Sequence, residues 1–221
     1  MEVIYRSTRS NGAPVTASQA ILKGLSDDGG LFVPDHIPTL DKSLKELAGM
    51  TYQQVAYEVM KLFLTDFTEE ELKNCINSAY DSKFDTEKIA PLVKADDAYY
   101  LELFHGSTIA FKDMALSILP HLMITSARKN NIKNEIVILT ATSGDTGKAA
   151  LAGFADVKCS FGDILSIQCS SHRPYGLLTD LYSVIAPIGH RGKLCNPILL
   201  LEHDLRHAVR KFIGIQTVQY D

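Results

Sequence analysis

The chain has 221 residues, with 46% apolar and 22% charged side chains and a formal net charge of −4. That is enough chain for one large domain or two small ones with a substantial core. The mild acidity gives no basic field for nucleic acid or an anionic membrane surface. No apolar run approaches the roughly 20 residues of a membrane-spanning helix, and Met1–Arg6 lacks the basic, apolar and small-residue zones of a signal peptide. Cys75, Cys159, Cys169 and Cys195 form no CxxC pair, so reduced thiols in a cytoplasmic protein are expected.

The first region, residues 1–90, reads as mainly helical. Glu2-Val3-Ile4-Tyr5 reads as a short strand, and Thr16–Lys23 as a capped helix that stops at Gly24. Asp27-Asp28-Gly29-Gly30 is a tight turn before Leu31-Phe32-Val33-Pro34. The spacing predicts two amphipathic helices. One lies near 51–64, with Val55, Val59, Leu62 and Phe63 on one face. The other lies near 68–80 and opens on the capping box of Thr68 and Glu71.

The second region, residues 91–157, alternates strand and helix. Ala98–Leu103 reads as a strand that delivers the His105-Gly106 turn, and Lys112 stands at the start of a helix that Pro120 must kink or break. Glu135–Thr140 is a continuous apolar run of the kind buried in a parallel sheet. The loop Ser143–Gly147 follows, then a helix through Ala149, Ala150, Leu151 and Phe154. The order predicts an α/β fold, an incomplete three-layer αβα arrangement with a mainly parallel sheet. Ligands in such a fold bind at the strand C-termini.

Two places carry chemistry. Lys112 lies between Phe111 and Asp113 and follows Ser107 and Thr108, so an amine nucleophile has a flat ring and oxyanion-binding hydroxyls nearby. The loop from Thr142 through Ser143, Gly144, Asp145 and Thr146 offers successive amides and a helix N-terminus, a nest for a carboxylate or phosphate. It is neither a Walker A loop nor a dinucleotide fingerprint, since Thr142 stands where each needs glycine. Taken by themselves, Lys112 also reads as a solvated surface charge and the loop as a helix cap that binds nothing.

Four stretches together resemble threonine synthase. They are Tyr5-Arg6-Ser7-Thr8-Arg9, Gly24–Pro34 with its Asp-Asp-Gly-Gly-Leu turn, Phe104–Thr108 with Ala110–Asp113, and Ala141–Leu151. The resemblance covers most of residues 1–157. It implies a pyridoxal 5'-phosphate lyase of the tryptophan-synthase-β fold type that converts O-phosphohomoserine and water to threonine and phosphate. It also implies roles: Lys112 carries the cofactor aldimine, Phe111 lies against the cofactor, and Ser143, Gly144, Asp145 and Thr146 hold the substrate carboxylate with Thr142 beside them. A non-catalytic remnant or binding module stands as an alternative, as does another pyridoxal-phosphate lyase acting on a phosphorylated amino acid.

After Val157 the family pattern ends, although chains of this family are much longer. Residues 158–221 hold one glutamate, Glu202, but three of the four cysteines and four of the seven histidines. A reading-frame shift is the favoured origin of this tail, with a genuine C-terminal segment as the alternative. His203 and His207 share a helix face as a metal half-site, but Asp204 and a missing third ligand argue against H-E-x-x-H, so no metal is expected. The family's downstream phosphate-gripping loop is not found, so weak cofactor binding and little activity are expected. A sheet short of strands would also leave an edge open to self-association.

Overall fold

The computed structural model describes residues 2–9, 12–133, 136–141, 145–155 and 157, together with the strands 165–169, 184–187 and 216–219. The chain divides into two compact units, Met1–Ile132 and Lys133–Asp221. Among the described residues no helix is long and apolar enough to cross a membrane.

The first unit opens with an antiparallel pair, β1 (Tyr5–Ser7) and β2 (Phe32–Pro34), in register Tyr5↔Pro34 and Ser7↔Phe32. The expected strand at 2–5 lies further along because Val3 is in the core, 2% exposed, with its N–H donated to Thr65 Oγ1. The turn before β2 is closed by Asp28, whose Oδ1 accepts the Ser7 hydroxyl at 2.6 Å and the Gly30 N–H at 2.9 Å. Gly30 suits this turn, since a β-carbon there would collide with Ser7 Oγ. Between the strands runs α1 (Ala17–Lys23), opened by a Thr16–Gln19 capping box and ended by Gly24 at φ 66°.

Three further capping boxes start α2 (Leu44–Leu47, from Ser43 and Glu46), α3 (Tyr52–Phe63, from Thr51 and Gln54) and α4 (Glu69–Ala79, from Thr68 and Glu71). The short α2 is absent from the sequence reading. The structure sets a neighbouring face of α3 on the core, with Val55, Leu62 and Phe63 of the expected apolar face partly buried. Tyr52, Ala56, Tyr57, Met60 and Leu64, at and just beyond the helix, pack on the core, whereas Val59 is exposed. The tyrosines shift the face, with the Tyr52 ring meeting Tyr80 edge-on at 4.8 Å. The core centres on Leu72, Cys75, Ile76 and Ala79 of α4, joined by Phe67, Tyr80, Phe84, Ile89, Ile118 and Leu122.

Next comes the hairpin of β3 (Leu92–Ala95) and β4 (Ala98–Leu101), exposed along both strands. Then follow α5 (Asp113–Leu116) and α6 (Leu119–Lys129). Pro120 occupies the first turn of α6, where its missing N–H costs nothing, so the predicted break becomes a helix start. Lys129 pairs with Glu71 at 2.9 Å and Asn130 donates to Ser18, tying α6 to α4 and to α1.

In the second unit β5 (Ile136–Ala141) leads to α7 (Asp145–Phe154). A four-stranded sheet has the order β7 (Val184–Pro187), β6 (Leu165–Cys169), β5, β8 (Gln216–Gln219). The expectation of a mainly parallel sheet is corrected here. Among the described strands only β5 and β6, on either side of α7, run parallel, while β5–β8 and β6–β7 are antiparallel, as are both two-stranded sheets. A helix between two strands carries the chain back to the end it started from, which permits parallel pairing. The described elements thus make a mixed fold of helices and small sheets.

Candidate functional site

Beyond β4 the chain carries Glu102, Phe104 and His105 into the turn at Gly106. His105 is gripped from two sides. Its Nδ1 lies 2.5 Å from Asp85 Oδ1 and its Nε2 2.9 Å from Glu102 Oε2, while the ring stacks on Phe104 with centroids 4.6 Å apart. The Asp85 N–H also donates to the His105 carbonyl. Hydrogen bonding to Glu102, and then to Asp85, raises the imidazole pKa above its ordinary value. Neither carboxylate emerges from the sequence reading. Asp85 lies twenty residues away in an irregular stretch, and no spacing rule links it to His105.

The next turn is locked by a buried acid. Asp113 Oδ2 accepts the Thr108 N–H and Oδ1 accepts the Thr108 hydroxyl, both at 2.7 Å. Thr108, expected as an oxyanion donor, is therefore committed to Asp113 and buried, whereas Ser107 is exposed. Between the two, Ile109 sits at φ 63°, a left-handed conformation that costs a β-branched residue of order 1–3 kcal/mol. Strain of this kind persists only where surrounding contacts enforce it.

Lys112 stands at the N-cap of α5, half-buried. Its Nζ lies 4.9 Å from the centroid of the exposed Phe111 ring. Among the described residues no carboxylate or hydrogen-bond acceptor holds this amine. Behind it, the buried Tyr80 hydroxyl donates to the Met114 carbonyl at 2.8 Å, so the core of α4 is pinned to α5. Burial raises the Tyr80 pKa and keeps the phenol a donor.

The structure brings Phe111 and Lys112 together in the first unit. Asp145 and Thr146 belong to the second unit, on the first turn of α7, with Asp145 exposed and Thr146 partly so. Thr142, Ser143 and Gly144 lie outside the described residues, as do His203 and His207.

Residues 4–80 match the family described as "Threonine synthase N terminus". The chain is 37% identical over 172 residues to threonine synthase of Saccharomyces cerevisiae, covering 70% of this chain and 33% of that protein. It is 38% identical over 167 residues to threonine synthase of Schizosaccharomyces pombe, covering 71% of this chain and 32% of that protein. The chain carries a threonine synthase-like N-terminal region. The crystal structure of PLP-bound threonine synthase from Brucella melitensis superposes with a TM-score of 0.66 at 32% identity, over 76% of this chain and 36% of that one. The chain thus spans about a third of the length of the curated threonine synthases it matches. An aligned stretch covering 70% of the chain includes Lys112 wherever it begins.

Proposed function

We propose that this chain carries the lysine-bearing part of a pyridoxal-phosphate-dependent threonine synthase site, with Lys112 as the amine that joins the cofactor carbonyl. The observation that supports this most is the setting of Nζ, 4.9 Å from the ring centroid of an exposed phenylalanine and, among the described residues, without an ion-pair partner. An amine beside a flat apolar face suits a planar carbonyl cofactor. Bound there, pyridoxal phosphate would supply an electron sink for carbanions on the substrate. Phe111 would lie against it. Lys112, once displaced by the substrate amine, would carry protons at Cα and Cβ.

The reaction is the conversion of O-phosphohomoserine and water to threonine and phosphate, with phosphate leaving from Cγ and water adding at Cβ. Ser143, Gly144, Asp145 and Thr146, with Thr142 beside them, would hold the substrate carboxylate through hydroxyls and amides. By itself the chain is expected to bind the cofactor weakly and turn over little. The sequence lacks a Gly/Asn-rich loop of the kind that grips the cofactor phosphate in this family. We also propose that residues after 157 depart from the family through a reading-frame shift. Recovery of family sequence in a neighbouring frame of the coding DNA is the expected result.

The site reading is tested by incubating the chain with pyridoxal phosphate, trapping with borohydride and mapping the labelled peptide. Lys112 is expected to take most of the label, and Lys112→Ala to remove it. Label spread evenly over surface lysines would sink the reading. Phosphate release from O-phosphohomoserine near background is expected in parallel, and robust release would refute the impairment.

A further inference from the structure

One carboxylate governs the segment that ends on Lys112. Asp113 is 3% exposed, and each of its oxygens takes a donor from Thr108, five residues earlier. Gly106 is part of the same lock. A β-carbon there would stand 2.5 Å from Asp113 Cβ and 2.6 Å from Oδ2, so only glycine lets the turn close on the acid. The Asp113 N–H donates to the Ala110 carbonyl and the Ile109 N–H to the Gly106 carbonyl, which leaves the intervening chain little freedom. Ile109 is held at φ 63° inside this loop. Lys112 is the last residue before the clamp's anchor.

We propose that Asp113 is a positioning residue for Lys112. Its side chain holds Thr108 against the start of α5 and so fixes the direction in which Lys112 leaves the backbone beside Phe111. The role is geometric, because both oxygens are engaged by Thr108 and, among the described residues, Asp113 forms no ion pair with Lys112. The inference rests on the proposed role of Lys112.

The experiment uses the full chain, pyridoxal phosphate and borohydride trapping across a pH series, with label at Lys112 compared with label at exposed Lys45. If wild type labels Lys112 no better than Lys45, the role of Lys112 fails, and this inference falls with it. Where wild type prefers Lys112, Asp113→Ala is expected to cut that preference about 10-fold, since small misplacements of a reacting group carry penalties of this order or larger. Asp113→Asn is expected to stay within about 3-fold of wild type with an unchanged pH midpoint, because its amide accepts from the Thr108 N–H and donates to the hydroxyl. Thr108→Val keeps the amide bond and loses the hydroxyl bond, with an intermediate loss expected. It decides the matter together with Asp113→Asn if Asp113→Ala does not fold. Wild-type preference in the alanine or valine variant, or an asparagine variant as poor as valine or alanine with a displaced pH midpoint, overturns the proposal.

Discussion

Two parts of the first unit are built in opposite ways. Around α4 the side chains close on one another, with Leu72 and Ile76 each 1% exposed and Ala79 fully buried. From β3 to Lys112 most apolar residues face outward. Leu92, Tyr99, Tyr100, Leu101, Phe104, Ile109 and Phe111 are all exposed. The first part is held by burial and the second by polar contacts, the bracket on His105 and the clamp of Asp113 on Thr108. The amine of interest lies where burial gives out, which leaves it accessible, and its backbone is held by hydrogen bonds. Tyr80 joins the two parts through the bond from its hydroxyl to the Met114 carbonyl.

The contrast is sharpest in core truncation. Leu72→Ala removes a side chain from a site with almost no exposure and is expected to destabilise by about 2–5 kcal/mol. Leu101→Ala, at an exposed strand position, is expected to change stability by no more than about 0.5 kcal/mol. Urea denaturation of both variants measures the difference. Equal costs would mean that the hairpin is covered in solution and the comparison is wrong.

The link between the parts gives a smaller effect. Tyr80→Phe leaves the packing and deletes the donor to Met114, at a cost of about 1–2 kcal/mol. It is also expected to lower trapping at Lys112, because α5 loses its tie to the core. A variant that loses stability but labels Lys112 normally would show that the core does not help to hold the lysine. The Thr68 cap is a control on the other side. Thr68→Ala is expected to cost about 1 kcal/mol through the lost bond to the Glu71 N–H and to leave Lys112 trapping unchanged. Trapping that falls with it would make any loss of stability sufficient and remove the special status of Tyr80.

What the sequence disclosed follows the same divide. Caps and breakers act within three or four residues, so Thr16, Gly24, Thr68 with Glu71, and the break at Pro120 were all legible. The face of α3 set on the core was not, because Tyr52 and Tyr57 pack partly buried against it although a hydroxyl lowers their apparent hydrophobicity. Phe111 and Lys112 were legible as chemistry. What fixes them was not, since Asp113 reads as one more helix-start acid until its two bonds to Thr108 and its contact with Gly106 are seen. Asp85 was out of reach altogether, because only the folded chain brings it to His105.

The smallest expected effect concerns that histidine. Glu102 and Asp85 favour its protonated form, so its pKa in the folded chain lies above the value of about 6.5 for an unfolded histidine. A group raised on folding binds protons more tightly in the native state. Its contribution is therefore full below about pH 6.5 and is lost as pH rises through the folded pKa. His105→Asn keeps a polar side chain but cannot take the charge. The gap in Tm between wild type and this variant should be widest near pH 6, while the carboxylates are still ionised, and should narrow as the pH rises through the folded pKa. Because Asp85 is 74% exposed, solvent and salt screen the pair, and the gap should shrink further in high salt. A gap that widens with pH would mean that the neutral ring is the form the fold prefers. The open part of the unit would then be held by the hydrogen bonds alone, without the charge.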